Sequence, residues 1–128
     1  MRVSIVIPAF GQQDLLDRSL ATWHAQKDEF AECIVVEDGS FPPLTIPEWA
    51  IPVRIDREDI PRGSSAAKNL GVERASGDYI VFADSDILHL PDALASLKKS
   101  MRQWEDEGEP NILLNVTRHS LKNGYPRR

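Results

Sequence analysis

Hydrophobic residues in this chain fall into short continuous runs and longer periodic stripes, and the two kinds alternate. Val3-Ser4-Ile5-Val6-Ile7 is a β-branched run closed by Pro8, which cannot donate to a sheet ladder and so ends the strand. Across residues 12–26 the apolar positions Leu16, Leu20 and Trp23 recur at four and three, the spacing of one helical face, with Asp14 and Asp17 placed early to complement the helix dipole. Cys33-Ile34-Val35-Val36 predicts a second strand, and Glu37-Asp38-Gly39-Ser40 turns the chain out of it. Pro42, Pro43, Pro47 and Pro52 exclude regular helix over residues 41–52 and predict an irregular link to a short strand at residues 53–55. Gly63-Ser64-Ser65 opens a helix, capped by a serine hydroxyl, whose small residues Ala66, Ala67 and Gly71 allow close approach to a ligand or a strand. It runs to about Ala75, and Gly77 is the expected left-handed stop. Tyr79-Ile80-Val81-Phe82 then reads as a buried parallel strand. Pro91 is placed as a first-turn proline for a helix whose stripe is Leu90, Leu94, Leu97, Met101 and Trp104, ending near Gly108, and Ile112-Leu113-Leu114-Asn115-Val116 predicts a last strand.

Strands alternating with helices imply an α/β fold with a mainly parallel sheet and helices on both faces. Ligands of such open sheets bind beyond the carboxyl ends of strands, where the strand order reverses. Three of the predicted ends carry chemistry: Pro8-Ala9-Phe10, Glu37-Asp38, and Asp84-Ser85-Asp86. On an extended chain, residues two apart point the same way, so Asp84 and Asp86 can face one ligand. Paired carboxylates suit Mg²⁺ or Mn²⁺, which take one or two protein carboxylates and complete their shell with water and phosphate oxygens. Together these ends read as a nucleotide site with a base shelf, a hydrogen-bonding acid and a metal corner. A bare Asp-x-Asp solvated at a strand end would need none of this, so the weight rests on the company it keeps.

Composition narrows the partners. The chain has 128 residues, 41% of them hydrophobic, enough for one ordinary core and a single domain. A formal charge of −5 and the lack of a basic stripe interleaved with aromatics argue against polymeric nucleic acid, because phosphate neutralisation supplies most of that affinity. The single Cys33 makes no internal disulfide and sits in an apolar run, as a small buried hydrophobe does. No signal-like run precedes the first strand and none reaches membrane-spanning length, so a cytoplasmic setting without a transmembrane segment is expected.

Four segments resemble, in order and spacing, the nucleotide-binding half of family 2 glycosyltransferases with the GT-A fold. They are Ser4-Ile5-Val6-Ile7-Pro8-Ala9-Phe10, Val35-Val36-Glu37-Asp38-Gly39-Ser40, Gly63-Ser64-Ser65-Ala66-Ala67-Lys68-Asn69-Leu70-Gly71, and Gly77-Asp78-Tyr79-Ile80-Val81-Phe82-Ala83-Asp84-Ser85-Asp86. The resemblance implies a Rossmann-like nucleotide-diphospho-sugar transferase fold and transfer of a sugar from a UDP- or GDP-linked donor to an acceptor hydroxyl, with Mn²⁺ or Mg²⁺ and with inversion. It places Pro8, Ala9 and Phe10 around the nucleobase, Asp38 in hydrogen bonding to the base, Lys68 at a phosphate, Asp84 and Ser85 on the nucleotide side, and Asp86, with Asp84, on the metal. Glu37 stands where aspartate is usual and Gly11 where asparagine is common, which bears on how the base is held. The family's general base and most of its acceptor region lie beyond the metal motif. No residue here is assigned as that base, and the chain reads as a glycosyltransferase or the donor half of one.

Other metal-carboxylate families fit poorly. Haloacid-type phosphatases carry their Asp-x-Asp, and receiver domains their acidic pair, after the first strand, where this chain has Pro8-Ala9-Phe10; a Gly-x-Gly-x-x-Gly dinucleotide turn is missing. A nucleotide-binding module without turnover is the alternative from a different class. Glu105, Asp106, Glu107 and Glu109 read as a solvated helix end. His24 is expected at the surface, His89 in a loop from which it could donate to a phosphate, and His119 in a basic tail, residues 118–128, expected to fray. An open flank on the last strand makes homo-oligomerisation plausible.

Overall fold

Four strands form one parallel sheet in the order β3-β2-β1-β4, built from β1 (Val3–Ala9), β2 (Glu32–Glu37), β3 (Ile51–Arg54) and β4 (Tyr79–Phe82). The computed structural model describes residues 1–55 and 64–108, with the backbone of Leu121–Lys122 and Tyr125–Pro126. Two compact units divide the chain, Met1–Ala95 and Ser96–Arg128, and the sheet belongs to the first. The predicted strand at residues 112–116 lies outside what is described, as do Gly63 and the Ser64 side chain on which the predicted serine cap falls.

β1 and β2 are continuous apolar runs because both of their faces are covered. On one face Val6, Ile34, Val36 and Val53 gather with Ala67 of helix α2 (Ser64–Arg74), while on the other Val3, Ile5, Ile7, Cys33 and Val35 are equally shut off from water. Burying each such side chain is worth roughly 1.5–3 kcal/mol, which makes these two strands the centre of the core. Helix α1 (Gln13–His24) turns Leu16, Leu20 and Trp23 inward, as its spacing predicts.

The small residues of α2 serve a strand. A Cβ at Gly71 would lie 2.3 Å from Val6 Cγ1, so only glycine lets α2 settle onto β1. Gly77 also has a packing role and is not the left-handed stop expected of it. Its φ is not positive, and an added Cβ would meet Ser4 N at 2.8 Å and Arg2 O at 2.9 Å. Glycine here lets the chain cross the start of β1 before it enters β4. The crossing is fastened by Ser4, whose hydroxyl accepts the Gly77 N–H and donates to Glu32 Oε2, and the same carboxylate oxygen accepts the N–H and hydroxyl of Ser76.

Four further expectations are adjusted. Pro8 does not end the first strand: β1 runs on to Ala9, with Pro8 level with Val36, and because register with β4 stops at Val6 that flank of β1 needs no N–H from Pro8. β4 is half-buried, not buried, and Phe82 is exposed, because β4 pairs only with β1 among the described residues. The strand expected at residues 53–55 is Ile51–Arg54 and includes Pro52; as an edge strand paired only with β2 there, it tolerates a residue without an N–H. Helix α3 (Ala93–Asp106) starts after Pro91, which lies in the preceding turn, and its opening Leu94 N–H is accepted by Gln26 Oε1. Gly108 ends the helical region with φ 86°, as its position suggested. In the second unit, Leu121–Lys122 (β5) pairs antiparallel with Tyr125–Pro126 (β6), within the tail for which fraying was expected.

Candidate functional site at the carboxyl edge of the sheet

The strand order reverses between β1 and β4: the chain steps outward from β1 through β2 to β3, then returns to β1's other side. In open α/β sheets a reversal of this kind marks the carboxyl ends of the two strands as the position where ligands are held. The acids singled out in the sequence follow the carboxyl ends of β2 and β4, the strands on either side of β1. β4 keeps register with β1 as far as Phe82 opposite Val6, and Ala83 N–H still donates to Val6 O at 3.0 Å before the chain leaves the ladder.

On the β1 side, four predicted residues are joined by main-chain geometry. Ala9 is level with Glu37, and the Asp38 N–H donates to Ala9 O at 2.9 Å, so Pro8-Ala9-Phe10 and Asp38 share one rim. The turn that follows is tight: Gly11 and Gln12 take φ of 61° and 56°, left-handed values that glycine accepts freely and Gln12 accepts at some strain. Gly11 N–H donates to Ser40 Oγ at 2.8 Å, tying that turn to the loop after β2. Phe10 is 57% exposed and Phe41 94%, whereas Asp38 is buried. Two aromatic rings are therefore presented to solvent from a rim that holds a buried acid.

Glu37, which departs from the family pattern, is engaged in structure. Its buried carboxylate pairs with Arg54 Nη1 at 2.6 Å and accepts the Leu44 N–H at 2.8 Å, while Arg54 Nη2 donates to Ser40 O at 3.0 Å. Farther along the same loop, Gln13 accepts the Thr45 N–H and donates to Thr45 O. Sequence reading missed Arg54, Ser40 and Gln13. A buried acid at a strand end needing a cationic partner was the available signal for Arg54; Ser40 stood inside one of the resembling segments without a role of its own, and nothing in the sequence singled out Gln13.

On the β4 side, Asp84 and Asp86 are both exposed and Ser85 is half-buried. Strand alternation is not what relates them, since β4 ends at Phe82 and Ser85-Asp86 form a turn. The turn folds the two acids onto one short loop. Lys68 projects from α2 with Nζ 5.6 Å from the centroid of the Phe82 ring, so its charge sits over the last residue of β4. No cluster of three or more His, Cys, Asp and Glu that could hold an ion occurs among the described residues. A two-carboxylate corner does not suit a self-sufficient metal cage. It does fit an Mg²⁺ or Mn²⁺ ion that arrives with phosphate oxygens, which asks for one or two carboxylates.

His89 is not placed as a phosphate donor. Its ring lies 3.9 Å from that of Trp23, its Nε2 is buried without a hydrogen-bond partner, and its backbone N–H donates to Thr22 Oγ1. Burial holds its pKa below the ordinary histidine value, only partly opposed by the Asp84 charge, so the ring packs as a neutral aromatic. His24 is exposed and stacked beside Trp49 at 4.8 Å.

Residues 4–124 match the model of Glycosyl transferase family 2. The chain belongs to that family. The uncharacterized glycosyltransferase YfnE of Bacillus subtilis is 31% identical over 119 residues, covering 89% of this chain and 29% of YfnE. The mannosyltransferase PcManGT from Pyrobaculum calidifontis, solved in complex with GDP-Man and Mn²⁺, superposes with a TM-score of 0.63 at 25% identity over 77% of this chain and 31% of that one. TarS 1-349 of S. aureus, in complex with UDP-GlcNAc, gives a TM-score of 0.62 at 20% identity over 84% of this chain and 32% of its own. These likenesses establish the GT-A fold expected from the sequence, and the chain spans about a third of the length of each of these three proteins. No helix among the described residues is long and apolar enough to cross a membrane.

Proposed function

We propose that this chain is the donor-binding half of a metal-assisted, inverting glycosyltransferase of hexosyl type, acting on a UDP- or GDP-linked sugar. The observation that carries the reading is the joining of the β1 end, the β2 end and the acid loop after β4 around one strand-order reversal. The complex of PcManGT with GDP-Man and Mn²⁺ supports the same ligand class.

In this reading Phe10, with Pro8 and Ala9, forms the shelf for the base and Asp38 hydrogen-bonds its edge. Asp84 and Ser85 address the nucleotide, Lys68 brings a positive charge to the phosphates, and Asp86 with Asp84 holds Mn²⁺ or Mg²⁺. A bound cation supplies offsetting charge as the diphosphate leaves. Lys68 contributes in the same sense, as a point charge and not a fork. The hydroxyl proton of the acceptor needs a carboxylate of its own, which the described residues do not assign. Cys33 as a buried free thiol accords with a reducing, cytoplasmic setting.

Calorimetric titration of UDP and of GDP, each with and without Mn²⁺, tests the reading. Metal-dependent binding of one of them, weakened roughly tenfold or more in Asp86→Ala, is the expected result. Binding indifferent to metal and to Asp86 would remove it. Release of the nucleoside diphosphate from a donor sugar distinguishes an enzyme from a module that only binds.

A further inference from the structure

Asp38 lies between two residues gripped by a single side chain. Glu37, just before it, gives its carboxylate to Arg54 Nη1, and Ser40, two residues after it, gives its carbonyl to Arg54 Nη2. The intervening Gly39 takes φ 72°, so the backbone turns sharply within the span that the guanidinium closes. Ser40 in turn accepts the Gly11 N–H, which carries the constraint across to the turn bearing Phe10. On the other side of the loop, Glu37 accepts the Leu44 N–H. One guanidinium fork thus braces both the acid and the aromatic rim assigned to the nucleobase, while sitting at the end of β3, away from the acid loop after β4.

We propose that Arg54 is a positioning residue for nucleobase recognition, acting through Glu37 and Ser40 on Asp38 and Phe10. The proposal rests on the donor-site reading above and adds to it a division of labour. Arg54 governs the base end of the site and leaves the diphosphate end alone. The surface-facing half of the pair does not by itself require such a role: the Arg54 side chain is 36% exposed and Glu37 only 7%. What makes it more than a surface ion pair is the fork, since a planar guanidinium holds the carboxylate and the carbonyl on two nitrogens at fixed spacing, whereas an ammonium offers one mobile nitrogen.

Affinities for GDP, UDP and inorganic pyrophosphate, each with Mn²⁺, separate the two ends of the site. They are measured by calorimetry on wild type, Arg54→Met and Arg54→Lys, at a temperature where circular dichroism shows all three folded. The expected result is that Arg54→Met loses about tenfold or more in affinity for the nucleotide that wild type binds, with pyrophosphate affinity unchanged, and that Arg54→Lys falls between. Equal losses for nucleotide and pyrophosphate would reduce Arg54 to a general structural role and overturn the proposal, as would nucleotide affinity unaffected by either variant. Wild-type protein that binds pyrophosphate and neither nucleotide also overturns it. Should wild type bind none of the three, the donor-site reading itself fails and this inference with it.

Discussion

Cys33 and Glu32 are neighbours on β2 with opposite relations to water. Cys33 is fully buried, and burial pushes its thiol up to about 12. Its thiolate is then scarce at neutral pH, and thiol reagents should leave native protein unmodified while labelling it at once in denaturant; fast labelling of the folded chain would contradict the packing of β2. Partial burial of Glu32 works to raise its pKa, but hydrogen bonds from Ser4 and Ser76 and the charge of Arg2 outweigh it, so the folded carboxyl titrates below its ordinary 4.5. An acid whose folded pKa is depressed stabilises fully above its unfolded value, and that contribution fades as pH falls through the folded one. Glu32→Gln should therefore lower stability at neutral pH and flatten the acid side of the profile below about pH 4.5, as read by urea unfolding at a series of pH values. A variant profile parallel to wild type throughout would mean that the Ser4, Ser76 and Arg2 contacts do not favour the charged form.

Among the elements, the contact of α2 with β1 is the one most sensitive to a single atom. Gly71→Ala drives a methyl group to 2.3 Å from Val6 Cγ1, and overpacking of that kind costs about 1–3 kcal/mol, visible as a lowered denaturation midpoint. Gly77→Ala meets backbone atoms of Ser4 and Arg2, which cannot rotate away, and its loss should be at least as large. A Gly71→Ala protein as stable as wild type would show that α2 is free to shift. The order and type of the elements were legible because β1 and β2 are continuous β-branched runs and α1 and α3 carry regular stripes. Gly77 was misassigned because a glycine after a helix commonly stops it, and the competing demand, a backbone crossing over Ser4, comes from a residue far away in sequence. Pro52 misled for a similar reason: whether proline fits a strand depends on which neighbour that strand lacks. The residues flanking the site were legible as motifs, but the braces behind them were not, since Arg54, Ser40 and Gln13 act through side-chain to main-chain bonds that have no periodicity to reveal them.

For the molecule as a whole, the carboxyl edge of the sheet concentrates acids and the exposed aromatics Phe10, Phe41 and Phe82, while the opposite edge, with Ser4, Glu32, Ser76 and Gly77, is knitted together by hydrogen bonds. A sheet fixed at one edge and open at the other is suited to meeting ligand only at the open edge. In the proposed donor site, the acid loop after β4 holds a divalent ion together with a nucleoside diphosphate. Electron paramagnetic resonance of Mn²⁺ reads this directly, because the sharp six-line signal of the aqueous ion broadens when it is bound to protein. The signal should persist with protein alone; on addition of GDP or UDP, wild type should diminish it beyond what the nucleotide alone removes, and Asp86→Asn should add nothing to the nucleotide's own effect. An excess loss identical in wild type and Asp86→Asn, or no excess loss in either, would contradict the account.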